Sequence, residues 1–433
     1  MEPSTAGKRH PATVVIIGAG VFGLSTALHL RKSHPDVDVT VVDRMRGNRG
    51  GASSDHNKII RADYPDPVYM GLAIEAQECW RKDPMLQPYY HECGMLFAED
   101  INIGRASYAN YKKIGQEPLS GRADTDAEYN YYNPHSGWGE AEEAMASVFQ
   151  AALDAGVTFT EATARKLLPA PDGSCQGVTV QKDGELQDLV ADLTVVCTGA
   201  YTAKLQADTA PERDELQVAG RMVAAAAVQC TATYPPDQEE KLLQAPVHFI
   251  GMWHTHGESI PPFKGRLKFN CEVSFLNMTY HEGLGKEISI PPAEQSQSTF
   301  SQDVLDGLKQ EVANVVRNKY GNYVPGIQIE NYRMCWDAVS PNQDFVIDYH
   351  PHCNNLIIAG AGSFHSWKFL PTIGKYVVQR IMGTLDEPLA RKWAWDRENV
   401  GAACEMYIPT RDVKNIGPFQ GWPRPGELVP VAQ

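Results

Sequence analysis

The stretch TVVIIGAGVFG, Thr13 to Gly23, is where the fold is decided. Thr13 to Ile17 is a short β-branched run, which reads as a strand buried on both faces. Gly18-x-Gly20-x-x-Gly23 follows, then a helical stretch from Leu24 to Lys32 and a second strand, Val37 to Val42, ending in Asp43. A glycine triplet alone is weak, but strand, turn, helix and strand-with-acid together make the dinucleotide fingerprint. Gly18 permits the tight turn, Gly20 lets the backbone approach a pyrophosphate, and Gly23 lets the helix pack close on the strand. The pyrophosphate takes the N–H groups and positive end of the helix. Asp43 accepts from ribose hydroxyls and disfavours a 2′-phosphate; Val21 and Phe22 of the turn and Arg44 beside the acid complete the set. The fingerprint does not separate FAD from NAD.

Working outward, 433 residues predict two domains, and 43% hydrophobic with 21% charged residues reads as ordinary globular protein. Thirty-nine Lys+Arg against 53 Asp+Glu give a net charge of −14. That balance argues against nucleic acid or an anionic membrane as partner. An anionic substrate would need its own cationic pocket. Three glycines interrupt the apolar stretch Val14 to Leu30, so no membrane span is expected. A polar start and a Val-Ala-Gln end, not Ser-Lys-Leu, point to the cytosol, with a peroxisomal location left open. A monomer is expected. Nine cysteines, an odd number with no CxxC pair, argue for reduced thiols over a disulfide framework or zinc site.

Further along, Pro67 to Trp80 reads as an amphipathic helix and Cys93 to Ala98 as a strand. The segment 100–140 turns polar and Tyr-rich, with Asn133 to Gly139 (NPHSGWG) as loop. Ala141 to Ala155 is an Ala-rich helix stopped by Gly156, and a strand begins at Val157. Gly177 to Gln181 and Leu193 to Cys197 read as strands, Val247 to His254 and Arg266 to Phe275 as β-like, and Asp303 to Tyr320 as helix. Leu356 to Ala361 is a buried strand followed by Gly362, and Ile373 to Met382 a closing helix. This alternation predicts a nucleotide-binding domain in three pieces, 1–99, 141–225 and 331–433, with a second domain made of 100–140 and 226–330.

Five motifs in order carry a resemblance: GAGVFG with Asp43, SSDHNKIIRADY (Ser53 to Tyr64), RLKF (Arg266 to Phe269), CWDAVSPNQDFVIDYHP (Cys335 to Pro351) and LIIAGAGSFHSWKFLP (Leu356 to Pro371). The chain resembles the monomeric sarcosine oxidase family of flavoenzymes, in particular its fungal fructosyl amino acid oxidase (amadoriase) branch. The resemblance implies an α/β fold, with a glutathione-reductase-like FAD-binding domain and a discontinuous antiparallel-sheet substrate domain. It also implies bound FAD, oxidation of a secondary amine to an imine, and return of the electrons to O2 as hydrogen peroxide. Cys335 matches the cysteine joined to the flavin 8α-methyl, and Lys268 the lysine that activates O2 through a fixed charge. Arg61 and Lys368 match the pair that binds the substrate carboxylate, for which the arginine fork is suited. Ser53, Asn57 and Lys58 occupy the flavin-contacting loop.

Two departures bear on the substrate. The family motif SGHGFKF here reads Ser363 to Phe369, SFHSWKF, so two glycines beside the flavin become Phe364 and Ser366. Glu272 stands where sarcosine oxidases carry a histidine. Phe364 suits an aromatic substrate, and both changes argue against plain sarcosine. An N-methyl or N-alkyl amino acid is the first reading; a fructosyl amino acid, saccharopine or pipecolate is the second. A biosynthetic oxidase whose iminium is captured in a C–C bond is a third. An NAD-dependent dehydrogenase and a non-catalytic nucleotide-binding protein are the readings from other classes. His248, His254, His256, His350 and His352 fit no standard metal spacing, so no metal is expected.

Overall fold

The computed structural model describes residues 10–46, 51–99, 103–120, 129–252, 255–292, 304–321, 324–398 and 408–422. The opening motif forms the strand Thr13–Ile17, the helix Val21–Ser33 and the strand Asp38–Asp43. These build a six-stranded sheet in the order Val346–Tyr349, Leu356–Gly360, Leu193–Val196, Thr13–Ile17, Asp38–Asp43, Thr158–Glu161. Its pairs are parallel apart from Val346–Tyr349 on Leu356–Gly360. Helices Ala141–Asp154 and Ile373–Met382 pack with Val21–Ser33 on one face. Gly374 makes the last contact possible: a Cβ there would meet the Ser25 backbone at 2.1 Å, and its amide donates to Ser25 Oγ at 2.9 Å.

The second large sheet has eight strands, in the order Gln328–Val339, Val223–Thr233, Arg266–Cys271, Gly257–Phe263, Val247–Gly251, Met95–Glu99, Tyr129–Asn133, Leu119–Ser120. It is antiparallel except where Val247–Gly251 runs parallel to Met95–Glu99. Side chains alternate between its faces. Leu267, Phe269 and Cys271 pack in one core cluster with Val312 and Val315 of the helix Asp306–Tyr320. Lys268 and Asn270 point to the opposite face and line the main cavity.

The sheets divide the chain at other points than composition suggests. Met95–Glu99 and Gln328–Val339 both belong to the eight-stranded sheet, although 1–99 and 331–433 read as parts of the nucleotide-binding domain. The boundary at 330/331 carries no loop signal, because the strand Gln328–Val339 runs straight across it. The stretch 133–139, expected as loop, is also more ordered. Gly137–Glu140 is a strand pairing with Asn57–Ile60, and Gly137 passes so close to His91 O that a Cβ would stand 2.1 Å from it. Glycine serves close strand approach there.

Candidate active site

A cavity of about 600 Å3 runs from the glycine turn to the face of the eight-stranded sheet. At the turn, Gly18 has φ +107°, and a Cβ on Gly23 would lie 1.8 Å from Gly18 O. A Cβ on Gly20 would face Ser53 Oγ at 3.1 Å. Ser53 Oγ accepts from the Val21 amide at 2.9 Å, so it caps the helix start from a segment 32 residues away. Asp43 accepts from the Ala19 amide at 2.7 Å and the Met45 amide at 3.1 Å. Burial pushes its carboxyl up, while the two amides and Arg44 pull it down. The guanidinium of Arg44 lies over the Tyr201 ring, 4.7 Å from its centre.

Farther along, Asp55 is fully buried and gathers three cations. Lys268 Nζ lies 2.6 Å from Asp55 Oδ2, Lys58 Nζ 3.0 Å from the same oxygen, and Arg333 Nη1 3.6 Å from Oδ1. Burial alone would raise the Asp55 carboxyl, but Lys268, Lys58 and Arg333 together hold it far below the usual range. Burial lowers Lys268 and Asp55 works against that; for Lys58 the attraction of Asp55 prevails and its ammonium is favoured. Lys268 also donates to Asn57 O at 2.8 Å. Arg333 donates to Ser54 O at 2.6 Å and Gly51 O at 2.8 Å, which pins the loop carrying Ser53 and Asp55. Cys335, two residues on along the same strand and face, is buried at the cavity wall.

Arg61 and Lys368 are both buried on this wall. Arg61 donates to Asp63 O and lies over the Tyr64 and Phe249 rings. The Asp63 carboxylate accepts from Tyr131, Asn133 and Ser136. Asp66 pairs with Lys392 at 2.7 Å. Lys368 Nζ donates to Tyr64 Oη at 2.9 Å and His365 O at 2.8 Å. His365 Nε2 faces the Gln343 carbonyl at 2.8 Å, so that nitrogen carries the proton and Nδ1 accepts from Tyr64 Oη at 3.0 Å. Burial, then Lys368, pushes His365 down to about 3, which keeps the ring neutral. The chain from Lys368 through Tyr64 and His365 to Gln343 therefore has one direction of donation.

In the turn after Leu356–Gly360 three residues other than glycine take a left-handed backbone. Ala361, Ser363 and Phe364 have φ of +56°, +49° and +63°. Such conformations cost roughly 1–3 kcal/mol each. The amide of Phe364 is held by Asp337 Oδ2 at 2.9 Å and that of Ser363 by Ala338 O at 2.9 Å. Phe364, Gly362 and Glu272 all line the cavity. Two expected cofactor residues do not. Gly23 uses its missing side chain for close approach to the strand, and Asn57 turns its side-chain Nδ2 to Pro261 O at 3.4 Å, while its backbone carbonyl accepts from Lys268. Among the described residues no group of three or more His, Cys, Asp or Glu could hold a metal ion; His254 lies outside them. No described helix is long and apolar enough to cross a membrane.

The model of the FAD dependent oxidoreductase family (DAO) matches residues 13–380, most of the chain. This chain belongs to that family. Its cofactor is FAD, which decides between the two dinucleotides that the glycine turn leaves open. L-saccharopine oxidase of Schizosaccharomyces pombe is 27% identical over 433 residues, covering 89% of this chain and 94% of its own. Monomeric sarcosine oxidase of Bacillus sp. is 23% identical over 401 residues, covering 84% and 92%. Fructosyl peptide oxidase from E. terrenum superposes with a TM-score of 0.80 over 98% of this chain and 100% of that one, at 23% identity, and so shares the fold. The cavity of this FAD oxidoreductase suits the cofactor: a dinucleotide turn with an acid opens one end, and a thiol and a lysine wait at the other. Asp55, Arg333, Tyr64 and His365 are the polar residues that the motifs alone did not single out.

Proposed function

We propose that this enzyme oxidises secondary α-amino acids, N-methyl or N-alkyl, to imines and delivers the electrons to O2 as hydrogen peroxide. One observation carries the reading: Arg61 and Lys368 stand buried together on the cavity wall. Lys368 Nζ rests on two neutral acceptors, and among the described residues it forms no ion pair. Burial, then Arg61, pushes its ammonium well below the usual range. A carboxylate seated between the two would reverse both effects and meet the arginine fork. The names of the saccharopine and sarcosine oxidases among its relatives support a secondary amino acid as the substrate.

Bound FAD supplies the two-electron acceptor for the C–H next to nitrogen and passes the electrons to O2. The protein's part is to hold and to polarise. The turn at Gly18 to Gly23, Asp43 and Ser53 hold the dinucleotide end. Lys58, Gly362 and Cys335 bound the reactive end, and Cys335 offers its sulfur for a thioether link. Lys268 keeps a fixed positive charge where charge builds on O2. Tyr64 and His365 hold Lys368 in place for the carboxylate. Phe364 and Glu272 shape the wall that meets the substrate side chain.

Peroxide release across N-methyl, cyclic and glycated amino acids tests the reading; none from any of them sinks it. Arg61→Ala is expected to raise KM for the favoured acid by about 10- to 100-fold, the range of a charged hydrogen bond, and far less for its methyl ester. Equal effects on acid and ester would remove Arg61 from the clamp. Acid-precipitated wild type is expected to keep its yellow colour in the pellet, and Cys335→Ala to release it. Release from wild type would exclude the thioether.

A further inference from the structure

Three polar side chains stand in one row across neighbouring strands of the eight-stranded sheet. Gln229 is registered opposite Asn270, and Asn270 opposite Glu258. The row lies on the face of Lys268, two residues before Asn270, and all three line the cavity. Gln229 is 5% exposed and Glu258 8%. Asn270 Nδ2 donates to Glu258 Oε2 at 2.8 Å, which identifies Oδ1 as its remaining atom. Neither Asn270 Oδ1 nor Gln229 Oε1 has a hydrogen-bond partner. Buried acceptors are costly to leave unmade. Both of these oxygens are closed off from open space, so the acceptor that the row presents to the cavity is the Glu258 carboxylate, held in place by Asn270.

The charge balance points the same way. Among the described residues Glu258 forms no ion pair. Lys319 gives its Nζ to His248 O at 3.0 Å, and Lys368 is held by Tyr64 and His365. Burial pushes Lys319 down to about 7 and Lys368 well below its usual range, with Glu258 opposing both. A buried carboxylate whose neighbouring lysines tend to the neutral form is poised for a cation from outside.

We propose that Glu258, steadied by Asn270 on the cavity wall, forms a second subsite that takes a cationic nitrogen bearing several N–H groups, an ammonium or a guanidinium. The substrate class is then a secondary α-amino acid with a basic side chain. This deepens the oxidase reading and rests on Arg61 and Lys368 as the carboxylate end. An ammonium or guanidinium would donate to the Glu258 carboxylate and compensate its charge. Sugar hydroxyls would donate to that carboxylate but leave its charge uncompensated.

The test uses the holoenzyme and Nα-methyl derivatives of ornithine, lysine and arginine, each beside a neutral analogue in which methyl groups replace the terminal nitrogens. Peroxide release gives kcat/KM, and thermal-shift titration with the unmethylated parent amino acids gives Kd. At least one basic member is expected to show kcat/KM about 10- to 100-fold higher than its neutral analogue, and Kd lower by about the same factor. Glu258→Gln should bring that ratio near one, while Glu258→Asp, which keeps the charge, should retain part of it. Equal Kd for basic and neutral members overturns the subsite whatever the turnover. So does a ratio that survives Glu258→Gln, or a preference for glycated substrates that this change leaves untouched. Discrimination in Kd without peroxide from any compound would leave the subsite standing and remove the oxidase reading instead.

Discussion

Gly23→Ala is expected to give a protein that folds poorly and retains little FAD. The added Cβ would stand 1.8 Å from Gly18 O and 3.4 Å from Ile16 Cγ2. The first obstacle is backbone, so no side chain can swing aside. The turn has no slack either: Gly18 is already left-handed, and a Cβ on it would meet Cys197 O at 2.4 Å. The helix Val21–Ser33 must therefore lift off its strand, pulling the Ala19 and Val21 amides away from Asp43 and Ser53. Overpacking of this kind costs about 1–3 kcal/mol, more where rigid backbone is struck. Loss of the cofactor removes a further stabilisation that depends on its concentration. The measurements are Tm with and without added FAD and the ratio of flavin to protein absorbance. Wild-type values of both would refute the argument. Gly20→Ala should be milder for folding, since its Cβ meets only Ser53 Oγ at 3.1 Å.

Asp55→Asn should cost about 3–5 kcal/mol at neutral pH, the usual loss when one partner of a buried ion pair is removed. Lys268, Lys58 and Arg333 would then share a buried pocket without their common counter-charge. The sign with pH follows from the depressed carboxyl. Its contribution is present in full above the unfolded carboxyl range, near pH 4, and is lost as pH falls further toward the folded value. The variant should lack that acid-side slope, which urea unfolding between pH 3 and 7 can resolve. A second readout separates function from folding. Burial already lowers Lys268 and Asp55 opposes it, so removing Asp55 should lower the ammonium further. The alkaline limb of kcat/KM for O2 should move to lower pH, and Asp55→Glu should move it back. An unmoved limb would mean that Asp55 serves the fold alone.

The six-stranded sheet was legible because its strands are short, uniformly apolar runs such as TVVII, LTVV and LIIAG, buried on both faces. The strand Val223–Thr233 was not. Its sequence, VAAAAVQCTAT, is rich in the residue that most favours helix, and only the neighbouring strands on both sides select the extended form. The same split runs through the site. Arg61, Lys58, Lys268, Cys335 and Lys368 sit in linear motifs and meet on one cavity. The counter-charge that organises three cations was hidden because Asp55 joins residues 213 and 278 positions away. Cross-strand registration, which sets Glu258 beside Asn270, is not written in any local pattern. Phe364 reads in the sequence as suited to an aromatic substrate; its left-handed backbone, φ +63°, is visible only in the structure.

The interleaving of the six-stranded sheet also sets a timetable for synthesis. Thr13–Ile17 needs Leu193–Val196 beside it, and that strand in turn needs Leu356–Gly360. The first helix is covered only when Ile373–Met382 arrives. At about 5–20 residues per second, a ribosome needs roughly 20–70 s to bridge that interval. During this time the nascent glycine turn has no finished wall to hold a ligand, and its apolar helix is open to other chains. Cofactor loading is therefore a post-translational event. Recombinant yield should answer more to slower translation and added chaperone holdases than to riboflavin in the medium.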